Sequence, residues 1–451
     1  MHLNLPDKVS HIISLLQAEG YEAYAVGGCI RDSILKREPK DWDITTNASP
    51  VKIKSIFRRT VDTGIKHGTV TVLMGNESFE VTTYRIDGVY EDNRHPSEVT
   101  FTGDLKEDLK RRDFTINAMA YNDSEGLIDI FDGVGDLQKG VIRAVGNPIE
   151  RFSEDALRMM RAIRFAAELD YEIEENTLRA IREKAENLKN ISAERIQAEL
   201  VRLLCSNDPQ KILFLYETGI SKEILPELDS MMETEQNNPH HMYNVLMHTI
   251  EALNYSRNWN DKLDTDEKKI VRLALLFHDM GKTECKTTDN EGIDHFKGHA
   301  SISAEMAEEI LRRLKFDNYT INNVIKLIEY HDHRYTVTKP GIRKLVSELG
   351  TKLMPLWFVV RRCDTNAQSV FIRDEKLSSI DRCEQLYNEI IEERDCLSLK
   401  DLAVKGSDLI EAGIKPGKEI GELLKKMLDI VLEDPGKNNK EYLMEQIRQV
   451  R

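Results

Sequence analysis

The stretch GGCIRDSILKREPKDWDITT, residues 27–46, decides how the first half of this chain is read. It follows YEAYAV, which has the look of a short strand, and the paired glycines then turn the chain. Asp41 and Asp43 stand two positions apart, and on a strand that spacing points both carboxylates to one face. Two convergent carboxylates offer the hard oxygen ligands that Mg²⁺ takes together with substrate phosphates. Such ions activate an attacking hydroxyl and neutralise a leaving pyrophosphate. Gly27 and Gly28 predict close backbone approach to a triphosphate, and Arg31 adds positive charge there. A lone DxD or a lone GG reads as an ordinary turn; the combination is far more specific.

Outward from this stretch, residues 7–20 read as an amphipathic helix ending at Gly20. TVTVLM, SFEVTTYR and VIRAV carry β-branched or alternating patterns, so the first third is expected to be mixed α and β. From about Arg151 onward apolar residues recur at three- and four-residue spacing, and the rest is expected to be almost all helical. TEQNNPHH (234–241) and NWNDKLDTDEKK look like linkers. The fold class expected is α+β and multi-domain, and 451 residues fit two to four units. With 63 basic and 78 acidic residues the net charge is −15, which excludes a globally basic nucleic-acid coat but not a local basic cleft. Six cysteines without a CxxC pair fit reduced thiols in the cytoplasm better than disulfides or zinc. No apolar run is long enough to span a bilayer, and the N-terminal residues lack a signal-peptide layout, so a soluble cytoplasmic protein without membrane contact is expected.

Three motifs follow in order: GGxxRDxxLxRxxxDxD, RRDFTINAMAY (111–121) and EDALRMMRAIRFA (154–166). Together they resemble the class II tRNA nucleotidyltransferases, the CCA-adding enzymes of the polymerase-beta-like superfamily. The resemblance implies that Asp41 and Asp43 are catalytic Mg²⁺ ligands. It implies that Arg112 and Asp113 contact the sugar and triphosphate of an incoming nucleotide, with Arg161 and Arg164 also nucleotide-binding. Glu80 reads as a third carboxylate, a latch for the neighbouring loop, or an ordinary strand position. The polar segment 87–101 corresponds to a loop that, in related enzymes, helps switch from C to A addition. Its apparent full length argues for complete CCA addition or A addition alone.

EDALR (154–158) joins chemistry to the resemblance. On a helix, Asp155 and Arg158 at i and i+3 share a face. Cytosine and adenine both present an amino donor beside a ring-nitrogen acceptor, so an aspartate and an arginine complement either base. Uracil and guanine reverse that order, at about 1–3 kcal/mol per unpaired buried group. The competing reading is a helix turn in which Glu154 and Asp155 pair with Arg158.

In the helical half, His248, His278-Asp279 and Asp364 resemble the ligand set of HD metal-dependent phosphohydrolases, and His299 and His331 would complete a second metal site. Imidazole with carboxylate suits a transition metal. The expected order is a nucleotidyltransferase head (1–145), a helical RNA-binding neck (146–235), an HD domain (236–370) and a C-terminal helical module (371–451) that holds tRNA. Lys106, Lys110, Arg111, Arg151, Arg161 and Arg164 are candidates for a local row of phosphate contacts. The expected activity is template-independent addition of C, C and A to the tRNA 3′ end from CTP and ATP, with pyrophosphate released. Rival readings are an A-adding enzyme or bacterial poly(A) polymerase, and an HD phosphohydrolase with an RNA-binding head.

Overall fold

The computed structural model describes residues 1–88 and 99–450, and the chain divides into two compact units, residues 1–226 and 227–451. Most of the expected 87–101 loop, residues 89–98, lies outside the described residues. Its flanks, Arg85–Asp87 and Val99–Phe101, pair as a short antiparallel ribbon.

The first unit is built on a seven-stranded sheet. Its strands are β1 (Ala23–Val26), β2 (Asp43–Thr46), β3 (Thr60–Gly64), β4 (Thr69–Met74), β5 (Glu77–Thr83), β6 (Met119–Asn122) and β7 (Gly126–Asp129). They run in the order β3–β4–β5–β2–β1–β6–β7. Only the β2–β5 pairing is parallel. All four residues of β1 are buried, with Tyr24 and Val26 packed among Tyr84, Leu109 and Ala120. Helix α1 (Asp7–Ala18) lays Val9, Ile12, Ile13 and Leu16 inward at helical spacing. Each such side chain, fully buried, stabilises the fold by about 1.5–3 kcal/mol. Helix α2 (Gly28–Ile34) springs from the turn after β1. Farther along, α3 (Leu157–Leu169) and α4 (Ala193–Leu204) pack against each other.

The second unit is almost entirely helical. Its centre is α5 (Val245–Tyr255), α6 (Thr265–Phe277), α7 (His299–Arg313), α8 (Asn318–Tyr330) and α9 (Met354–Ala367). Every residue of α6 from Ile270 to Phe277 is buried, because α5, α8 and α9 all pack on it. Its start is a capping box: Asp264 accepts from the Glu267 amide while Glu267 accepts from the Asp264 amide. Such a cap stabilises a helix by roughly 1 kcal/mol. The stretch 234–241, expected as a linker, lies inside this unit and contributes to a cavity wall. Among the described residues no helix is long and apolar enough to cross a membrane, and the six cysteines are free.

Candidate active site and a second candidate metal centre

Gly27 takes φ +87°, a backbone conformation that side-chain-bearing residues rarely adopt. A Cβ there would also stand 2.7 Å from the Arg112 Nη1. The glycine turn and the RRD segment therefore touch, although they are far apart in sequence. Arg112 is in turn electrostatically coupled to Asp43.

Strand β2 begins at Asp43, so Asp41 lies in the preceding segment rather than on the strand as expected. The two carboxylates still share one neighbourhood. Glu80 stands opposite Asp43 in the parallel β2–β5 register. Burial, then Asp41, lift the Asp43 carboxyl above its usual range, and Arg112 offsets this only in part. Burial, Asp43 and Asp41 likewise raise Glu80. All three residues are exposed, while the protein around Asp43 and Glu80 still takes enough water from their carboxylates to raise them. The charges of Asp41 and Asp43 thus act on Glu80, and that of Asp41 on Asp43, and carboxylate oxygens are the hard donors that a divalent cation takes. Burial and Asp43 push the neighbouring Cys29 thiol to about 12, so it stays protonated.

A hydrogen-bonded chain runs on from the glycine turn. Arg31 donates to Asn117 at 2.8 Å, and Asn117 donates to Asp113 at 3.1 Å. Asp113 also accepts from the Phe114 amide at 2.8 Å, and its second oxygen takes both Nε and Nη2 of Arg161, at 2.9 and 2.5 Å. Burial favours the neutral acid here, but Arg161 and Asn117 outweigh it and hold Asp113 well below the usual carboxylate range. All four of its acceptor positions are occupied, so this conformation has no lone pair left for a ribose hydroxyl. Asp113 instead orients Arg161. Arg164 does not face a ligand either. It is 1 % exposed, paired with Glu199 and Glu168 at 2.5 and 2.7 Å, and stacked 3.9 Å from the Phe165 ring centroid. A guanidinium so enclosed cannot reach an RNA phosphate or a nucleotide.

The EDALR segment departs from the helical pairing expected of it. Asp155 sits in an extended break between the helix Pro148–Glu154 and α3. Its Oδ1 accepts from the Leu157 amide at 3.1 Å and its Oδ2 from Arg195 at 2.7 Å. Arg158 pairs with Glu154 at 2.6 Å and donates to the carbonyls of Arg151 and Arg111. Of the expected phosphate-contact row, Arg111 pairs with Asp108 and Arg151 with Glu154, while Lys106 and Lys110 are exposed. The sequence reading missed Asn117, Arg195 and Glu199. Asn117 lies four positions after Asp113, but the other two reach the site only through the α3–α4 packing.

In the second unit, His248, His278, Asp279, His299, His331 and Asp364 come together in the buried interior. The Oδ2 of Asp279 lies 3.3 Å from His248 Nε2 and 3.4 Å from His278 Nε2. The Oδ1 lies 3.4 and 3.6 Å from the Nε2 atoms of His299 and His331. Asp364 Oδ1 approaches His248 Nε2 at 3.1 Å. Three imidazoles use Nδ1 in the same way, against the carbonyl three residues upstream: His278 on Leu275 at 2.7 Å, His299 on Phe296 at 2.9 Å, His331 on Ile328 at 2.6 Å. A carbonyl can only accept, so each Nδ1 carries a proton, and each Nε2 is the ring nitrogen turned inward, the atom that would ligate a metal. Asp279 thus joins two ligand groups through its two oxygens. Lys282 balances its charge at 2.6 Å and also donates to Gln236, at 2.8 Å. The cluster opens into a cavity of about 620 Å³ that is also lined by His240, His241, Lys376 and Gln368. Burial and Lys282 lower His241 to about 3, so it is a neutral imidazole.

Three family models match successive stretches of the chain. Residues 23–143 match the poly A polymerase head domain, residues 170–232 the probable RNA and SrmB-binding site of polymerase A, and residues 287–447 a tRNA nucleotidyltransferase domain 2. The CCA-adding enzyme of Lactobacillus helveticus is 34% identical over 436 residues, covering 95% of this chain and 94% of its own. That of Lactobacillus johnsonii is 35% identical over 450 residues, covering 98% of each. Among solved structures, the Bacillus stearothermophilus CCA-adding enzyme in complex with CTP superposes with a TM-score of 0.69 at 29% identity, over 97% of this chain and 96% of that one. The head-domain match alone would leave open a poly(A) polymerase, but relatives aligned along nearly the whole chain do not. Aligned along nearly its whole length with these relatives, and with its glycine turn and RRD segment in contact, this chain belongs to the CCA-adding enzymes, the divalent-metal-dependent tRNA nucleotidyltransferases.

Proposed function

We propose that this chain adds C, C and A to the 3′ end of tRNA from CTP and ATP, without a nucleic-acid template, and releases pyrophosphate. The observation that carries the reading is the meeting of the Asp41–Asp43–Glu80 carboxylates with Arg112 at the Gly27 turn. In this reading Asp41 and Asp43 hold Mg²⁺, which when bound supplies the positive charge that offsets triphosphate and leaving pyrophosphate. Gly27 and Gly28 let the backbone approach the phosphates, and Arg31 and Arg112 add charge there. Arg161, aimed by Asp113, is a nucleotide-facing group. Asp155 accepts from the base amino group, and Arg158 donates to the ring nitrogen after exchanging its hold on Glu154. The domain division proposed remains head, neck, HD segment and C-terminal module, in a cytoplasmic protein, consistent with six free cysteines.

The test uses tRNAs ending before CCA, after C and after CC, each offered CTP, ATP or both, with the product ends sequenced. Complete addition restores CCA on all three. An A-adding enzyme extends only the tRNA ending in CC, and a poly(A) polymerase runs on past a single A. Asp155→Ala and Arg158→Ala should each lower discrimination against UTP and GTP about tenfold or more. Unchanged fidelity in both would return the segment to capping and ion pairing alone.

A second reading concerns the histidine cluster. Four imidazole nitrogens and the carboxylates of Asp279 and Asp364 favour a transition metal of the Mn²⁺, Fe²⁺ or Ni²⁺ kind, serving hydrolysis of phosphate esters.

A further inference from the structure

Asp155 lies in an extended break between two helices, so its carboxylate is not paired at helical spacing with Arg158. Two contacts fix the group. The Leu157 amide binds Oδ1 at 3.1 Å, and Arg195 binds Oδ2 at 2.7 Å. We infer that Arg195 is a positioning residue for base selection: it holds Asp155 so that the carboxylate accepts from the amino group of cytosine or adenine. This inference rests on the proposal that Asp155 reads that amino group.

Three observations support it. With one contact on each oxygen, each keeps a lone pair, so the carboxylate presents acceptors and no donor. Cytosine and adenine offer a donor at that edge, and uracil and guanine an acceptor, so an anchored, ionised carboxylate discriminates. Without its anchor the carboxylate turns about its terminal torsion, which is soft, and the fixed acceptor geometry is lost. Next, the Arg195 Nη1 is buried without a hydrogen-bond partner among the described residues. Arg195 therefore spends its polar reach on this one carboxylate, although a second anchor would hold its own fork better. Finally, Arg195 and Glu199 lie four apart on α4, hence on one face. Glu199 holds Arg164 at 2.5 Å and approaches Arg161 at 3.8 Å. One helix face thus braces both the base-reading carboxylate and the arginine that Asp113 aims.

The experiment uses the full-length enzyme on tRNA lacking CCA and compares kcat/KM for CTP and UTP in Arg195→Met, Arg195→Gln, Arg195→Lys and Asp155→Ala. A parallel set compares ATP and GTP on tRNA ending in CC. Arg195→Met should raise the UTP-to-CTP ratio about tenfold or more. Arg195→Lys, which keeps the charge, should restore most of the discrimination. Adding Arg195→Met to Asp155→Ala should change the ratio little further, since the two act through one carboxylate. A structural role alone would lower kcat/KM for CTP and UTP equally, and an unchanged ratio in Arg195→Met and Arg195→Gln, with Asp155→Ala impaired, overturns the inference. Unchanged ratios in all the variants would instead overturn base reading by Asp155. Circular dichroism and melting identify any variant that fails to fold, and Arg195→Gln then decides.

Discussion

Asp43→Ala is expected to stop both C and A addition, by a factor of about a thousand or more, while tRNA still binds. The factor follows from several kcal/mol of charge stabilisation by a bound ion, at about 1.4 kcal/mol per tenfold in rate. The melting temperature should not fall. Burial and Asp41 raise the carboxyl of Asp43, which means the ionised form is disfavoured in the folded protein without metal. Removing it relieves that strain. The pH dependence has the matching sign. Between the ordinary carboxylate value and the raised one, the folded protein binds more protons than the unfolded chain, so metal-free stability rises as pH falls through that window. Primer extension, tRNA binding by anisotropy and thermal melting with and without Mg²⁺ check these points together. Near-normal turnover in Asp43→Ala would remove the proposed chemistry of the head.

The double variant His278→Ala/Asp279→Ala should lose bound transition metal entirely and with it any phosphodiesterase or phosphatase activity. Asp279 faces both groups of imidazoles, so its loss is expected to empty the cluster rather than half of it. It also leaves Lys282 buried beside no carboxylate, and removing one partner of a buried pair costs roughly 3–5 kcal/mol. A lower melting temperature is therefore expected, with CCA addition retained at temperatures where circular dichroism shows the fold intact. Metal analysis by mass spectrometry and hydrolysis assays read the result. A well-folded variant that loses nucleotide addition as severely as Asp43→Ala would mean that the two centres depend on each other. Unaltered protein with neither hydrolysis nor bound transition metal would make the cluster a packing feature.

The order of elements was largely legible because periodicity is local. TVTVLM and SFEVTTYR form β4 and β5, and residues 7–20 contain α1. The carboxylate pair was legible as types at a spacing, but the strand boundary at Asp43 was not, since element ends depend on pairing partners. EDALR misled because the i,i+3 rule assumes one continuous helix, and the chain breaks at Asp155. The role of Arg164 misled for another reason: its sequence neighbours cannot reveal that Glu199, on a different helix, encloses it. The stretch TEQNNPHH reads as polar linker, but His240 and His241 line a cavity and Gln236 accepts from the buried Lys282.

The contact between Gly27 and Arg112 has an evolutionary consequence. A methyl group at 27 meets the Arg112 guanidinium, and the backbone there already excludes most side chains. The atom that the methyl meets is the tip of a flexible side chain, so Arg112 can give way, but only by moving from its place near Asp108 and Asp43. A side chain at position 27 is therefore tolerated only where the residue at 112 moves or shortens. Even then the left-handed backbone at 27 penalises the path. Two motifs more than eighty residues apart thus share one contact, and substitutions at 27 are expected to show epistasis with those at 112.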